Sequence, residues 1–202
     1  MDARQAAQNI EVIRTLMERT CQYQLLTARA GLVAGSLAGA GALLFLVLDG
    51  QDPRAFGFVW GVVFVCALAI TAFTTVSRSR ERGEKIWSRP ARAVVLALLP
   101  SLVAALILSV CFFAWGMHLW LPGVWMLCYG QGALATSTYA PSPIRWLGIA
   151  VLIGGAVTLL LGPEWAIVMM GLVFGLGHVS LGAVLLVMER RQAAIRLHRF
   201  VA

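Results

Sequence analysis

Six apolar runs, each about the length that crosses a bilayer core of about 30 Å, constrain this chain more than any other feature. They cover about residues 30–48, 56–76, 91–114, 120–139, 144–161 and 164–188. Each stops where the sequence favours water or breaks a helix. The first ends at Asp49-Gly50-Gln51-Asp52-Pro53 and the second at Ser77-Arg78-Ser79-Arg80. Trp115 to Leu119 leaves room for only a tight hairpin between the third and fourth, and Pro141-Ser142-Pro143 and Gly162-Pro163 precede the fifth and sixth. Pro163 suits a first helical turn, where its missing N–H costs nothing, and Glu164 there complements the helix dipole. A chain of 202 residues with 60% hydrophobic and 12% charged residues has too much apolar surface for one water-soluble core. The expected fold is all-α: a polytopic bundle of six transmembrane helices built as three helical hairpins (30–188), preceded by a cytoplasmic amphipathic helix (1–29) and followed by a basic cytoplasmic tail (189–202).

Lys and Arg set the expected orientation, because cytoplasmic loops retain positive charge. Arg4, Arg14, Arg19 and Arg29 precede the first run, and Arg78, Arg80, Arg82, Lys85, Arg89 and Arg92 lie around the second loop. Arg145 lies in the fourth loop, and Arg190, Arg191, Arg196 and Arg199 in the tail. Six helices place all of these on one side and leave Arg54 on the other, beside Asp49, Asp52 and Glu164. Both termini are therefore expected in the cytoplasm. The net charge of +7 reads as contact with anionic headgroups rather than nucleic-acid binding. The preference for Arg over Lys, with abundant Ala, Gly, Leu and Val, suggests a GC-rich bacterial genome and hence an inner membrane.

The first apolar run begins some 30 residues in, behind a charged helical segment, which does not fit a signal peptide. Over residues 6–26, Ile10, Ile13, Leu16, Met17 and Leu25 fall largely on one face, while Glu11, Arg14 and Glu18 pair at helical spacing elsewhere. This amphipathic helix could lie in the interface, pack beneath the bundle or bind a cytoplasmic protein partner. Cys21, Cys66, Cys111 and Cys128 are scattered singly and read as small apolar fillers.

Within the apolar runs, Gly31, Gly35 and Gly39 form a small-xxx-small ridge suited to close helix packing, within the chain or in a homo-oligomer. Tyr129-Gly130-Gln131-Gly132 and Phe174-Gly175-Leu176-Gly177 repeat an aromatic before G-x-G at matching depth, which suggests a repeated hairpin and marks Gly130, Gly132, Gly175 and Gly177 as packing glycines. Gln131 and His178 are strongly polar side chains at depth, with Tyr129, Ser180, Thr158, Thr136 and Ser137 in support. Polar groups in hydrocarbon are expensive unless paired, so Gln131 and His178 are expected to face the bundle interior, as a packing hydrogen bond or as part of a ligand site. His178 is expected to be neutral, because burial disfavours its charge and the apolar runs hold no carboxylate apart from Glu164 at the start of the sixth.

Catalysis finds little support. There is no H-E-x-x-H, phosphate loop, nucleophile elbow or carboxylate cluster. The helix count and His178 resemble rhomboid proteases, in which a helix-four serine pairs with a helix-six histidine, but Gln131 occupies the comparable G-x-G site and is no nucleophile. His118, in the outer hairpin, lies at the wrong depth to share a haem with His178, so no metal or cofactor is expected. Without ionised residues in the interior of the helices, voltage sensing and proton pumping are disfavoured.

The stretches Ile10 to Thr20, Trp125-Met126-Leu127-Cys128-Tyr129-Gly130 and Gly171-Leu172-Val173-Phe174-Gly175-Leu176-Gly177-His178 resemble a group of bacterial six-helix membrane proteins to which no reaction is assigned. That resemblance implies a membrane sensor or regulatory partner. The expectation is a non-enzymatic sensor or scaffold whose partners are the bilayer and a cytoplasmic protein; the alternative is a small oligomeric transporter or channel.

Overall fold

The computed structural model describes residue 5 and residues 27–48, 52–83 and 85–201. The amphipathic helix expected over 6–26, together with Cys21 and Asp49 to Gln51, lies outside the described residues.

Local sequence explains where each helix starts. Helix α1 (Ala28–Val47) is capped by Thr27, whose hydroxyl accepts from the Ala30 amide at 3.1 Å. Helix α2 (Pro53–Arg82) begins at Asp52, whose carboxylate accepts from the Arg54 and Ala55 amides at 3.1 and 3.3 Å. Helix α3 (Arg89–Ala114) begins at Ser88, whose hydroxyl accepts from Ala91 at 3.4 Å. A corner with Gly116 in the left-handed region (φ +70°) and a 3₁₀ turn, His118–Trp120, lead into α4 (Leu121–Thr136). Helix α5 (Pro143–Leu161) ends at Gly162, whose φ of +104° a side chain would strain. The last rod comprises α6 (Pro163–Met169), a π-helical turn (Met170–Gly175) and α7 (Leu176–Val201).

Two boundaries depart from expectation. Helix α2 continues beyond Val76 to Arg82, and the last helix continues beyond Met188 to Val201, through residues read as a tail. Arginine is a good helix former, so leaving the apolar zone does not end a helix; Gly83, left-handed at φ +64°, ends α2.

Helix α1 packs along α7 and the π turn, with α2 against its other side, and α4 lies between α3 and α5. The most extensive pairings are thus α1 with the last rod, which joins the two ends of the chain, and α4 with α5, which lies between the second and third of the expected hairpins. Among its residues α3 buries only Ala91, and it exposes Leu96, Leu106, Ile107 and Val110. Helix α2 likewise exposes Phe58, Phe64 and Phe73. Such continuous apolar surface suits lipid rather than water. Among the described residues, five spans are long and apolar enough to cross a membrane, while α4 has 16 residues and is preceded by the 3₁₀ turn.

Candidate functional site

Helices α4 and α7 bring Tyr129 and His178 together in the middle of the bundle. His178 Nδ1 lies 2.8 Å from the Phe174 carbonyl oxygen, and its Nε2 lies 2.8 Å from the Tyr129 hydroxyl. A carbonyl only accepts, so Nδ1 carries the proton; in a neutral ring Nε2 then accepts, and Tyr129 donates. The Phe174 ring closes the cluster, with ring centroids 4.2 Å from His178 and 4.9 Å from Tyr129. His178 is 6% exposed.

This geometry depends on the π turn. Phe174 and Gly175 close it, His178 follows one turn later on α7, and the turn rests directly on α1. A Cβ added to Gly175 would meet the Gly39 nitrogen at 3.2 Å and the Gly35 carbonyl oxygen at 3.4 Å. The two aromatic-G-x-G stretches therefore meet through Tyr129 and Phe174, whose rings pack edge to face. Their glycines turn elsewhere: Gly130 onto Leu152 of α5, Gly132 onto Leu98 and Ser101 of α3, and Gly177 towards Leu147.

Gln131 and Ser180 are corrections to the sequence reading. Both are exposed on the outside of the bundle rather than gathered around His178. Each lies two residues from a core residue, Tyr129 or His178, and two residues turn an α-helix by about 200°. The remaining polar side chains are satisfied by their own helices: Thr158 donates to Gly154 at 2.7 Å, Thr136 to Ala133 at 2.9 Å and Ser137 to Leu134 at 2.7 Å.

The glycine ridge of α1 is occupied within the chain. A Cβ on Gly31 would lie 3.1 Å from the Gly182 Cα, and one on Gly35 would lie 2.5 Å from the Gly175 carbonyl oxygen and 2.6 Å from the Val179 nitrogen. Gly39 differs, because a Cβ there would meet nothing within 4 Å.

A second cluster was not anticipated. At the end opposite the arginine-rich loop, Phe56 is fully buried, with ring centroids 5.5 Å from Phe45, 5.4 Å from His118, 5.6 Å from Trp125 and 5.9 Å from Phe113. Trp125 donates to the Ser109 hydroxyl at 2.8 Å, whereas Trp60 Nε1 and both His118 ring nitrogens have no hydrogen-bond partner among the described residues. The available signal was the concentration of aromatics near the helix ends around the 115–119 corner. Among the described residues, no three His, Cys, Asp or Glu side chains are grouped to hold a metal.

No family model, curated protein or solved structure matches the chain.

Proposed function

We propose that the protein is a non-enzymatic, multi-pass scaffold or sensor of a bacterial inner membrane that couples the state of its bundle to a cytoplasmic protein. The observation that carries this reading is the continuity of α7. One uninterrupted helix runs from His178 in the core to Val201, and on the way Glu189 forms an ion pair with Arg78 near the end of α2. A repacking around Tyr129 and His178 would therefore move the exposed Arg190 and Arg191 as part of a rigid rod. With the arginine-rich loop and both termini in the cytoplasm, as the distribution of basic residues favours, that rod emerges on the same side of the membrane as the N-terminal segment. The resemblance to six-helix proteins without an assigned reaction points the same way.

The competing transporter or channel reading needs a hydrated polar path. Tyr129, His178 and Phe174 instead satisfy and cover one another, which favours a lock over a lining. Photo-crosslinkers at Arg14 and Arg190 in native membranes test the proposal. One shared protein adduct from both sites is expected. The absence of adducts, together with solute flux through the purified protein in liposomes, would replace the scaffold with a conduit.

A further inference from the structure

We propose that the protein self-associates through the outer face of α4, with Gln131 of each copy hydrogen-bonded to Gln131 of the other across a twofold axis. The inference rests on the depth and direction of one side chain and is independent of the scaffold reading.

The depth is fixed from both sides. A Cβ on Gly130 would lie 2.7 Å from the nitrogen of Leu152, which has nine residues of α5 before it and nine after it. A Cβ on Gly132 would lie 3.2 Å from the Ser101 Cβ, midway along the 26 residues of α3. Gln131, between these glycines, is therefore level with the middle of both neighbouring helices. The nearest end of α5 is about 14 Å away at 1.5 Å per residue, too far for a glutamine to reach the interface.

The direction is outward. Gln131 is exposed and makes no hydrogen bond with a described residue, while Tyr129 on the opposite side of α4 is held in the core. An unpaired primary amide in hydrocarbon is costly, and polar side chains at this depth drive helix association. Ala135, one turn further on, is also exposed and small enough to let a second helix approach closely.

The chemistry selects the occupant. A primary amide carries both a donor and an acceptor, so two copies related by a twofold axis satisfy each other with two N–H···O bonds and no further partner. The other surface suited to close self-association, the glycine ridge of α1, is already filled at Gly31 and Gly35 by α7 and the π turn, which leaves only Gly39 open.

The test uses the full chain, fluorescently labelled and reconstituted at a series of protein-to-lipid ratios in phosphatidylethanolamine–phosphatidylglycerol vesicles, with energy transfer as the readout. Wild type is expected to dimerise. Gln131→Leu should weaken dimerisation about five- to tenfold, as expected for losing two intramembrane hydrogen bonds, and Gln131→Asn should retain part of it. Gln131→Cys, with the four native cysteines replaced by alanine, should form a disulfide-linked dimer under mild oxidation. Equal dimerisation of wild type and Gln131→Leu, both with unchanged thermal unfolding, would overturn the proposal. So would a wild type that stays monomeric in lipid alone, which would assign Gln131 to a different membrane partner.

Discussion

The Tyr129 hydroxyl donates to His178 Nε2 at 2.8 Å, and this bond connects α4 to α7 across the middle of the bundle. With Nδ1 committed to the Phe174 carbonyl, both ring nitrogens of His178 are used. The imidazole is held in one tautomer and one orientation.

Tyr129→Phe should therefore cost stability by leaving Nε2 without its donor. Membrane double-mutant cycles place such a bond at about 0.6 kcal/mol on average and below about 2 kcal/mol. His178→Leu should cost about as much or slightly more, because it also leaves the tyrosine hydroxyl unpaired. Combining the two should recover part of the sum. Unfolding in mixed detergent measures the cycle, and strict additivity would mean that the two residues do not interact.

Gly35 and Gly39 should respond in opposite ways although both belong to one ridge. Gly35→Ala places a methyl against the backbone of Gly175 and Val179 and forces α1 and α7 apart, with an expected loss of about 2 kcal/mol or more. Gly39→Ala points its methyl into open space and should be neutral or slightly stabilising. Comparing the two thermal midpoints decides the matter, and equal losses would contradict the packing.

His118→Phe breaks no hydrogen bond to a described residue and keeps an aromatic ring against Phe56 and Phe113. It should be neutral or raise stability by about 1 kcal/mol. A clear fall in the thermal midpoint would show that the imidazole nitrogens have a polar role there.

How much of this was legible depends on what a linear pattern can carry. The six apolar segments and the four-residue glycine spacing are properties of the chain alone, and both could be read without coordinates. The facing of Gln131 and Ser180 could not. Helix α4 carries apolar residues on every side, with Tyr129 and Gln131 on opposite faces, so its sequence contains no preferred inner side; only the placement of α3, α5 and α7 around it decides which residues point out. Phe174 and Tyr129 were recognisable as equivalent positions, but their contact requires the last rod to be rotated by the π turn. The aromatic cluster around Phe56 gathers residues from four helices and the 115–119 corner, so no local spacing announced it.

The proposed orientation has a direct check by cysteine labelling in intact cells and opened vesicles, starting from a cysteine-free chain. Substitutions at Lys85 and Arg190 should react only once the cytoplasmic face is opened, and Arg54→Cys should react from outside. Labelling of Lys85→Cys in intact cells would reverse the topology.

The ion pair between Arg78 and Glu189 is partly exposed, so removing either charge should cost at most about 1 kcal/mol, and less as salt is raised. Its larger effect should be geometric. Spin labels at Arg80 and Arg190 should show a broadened distance distribution in Glu189→Gln, and an unchanged distribution would mean that the pair does not hold α2 to α7.

Along the last rod, buried positions recur one helical turn apart, at Ala166 and Ile167, Met170, then Gly175, His178, Leu181 and Gly182, and Leu185, except between Met170 and Gly175, where the interval is five. The π turn thus acts as a phase shifter, letting one continuous helix present Ala166 and Ile167 in one register and His178, Leu181 and Leu185 in another. Deleting a single residue from 170–175 would restore a uniform α-helical phase. Every side chain beyond it would then turn by about 100°, and His178 and Glu189 would both lose their partners at once.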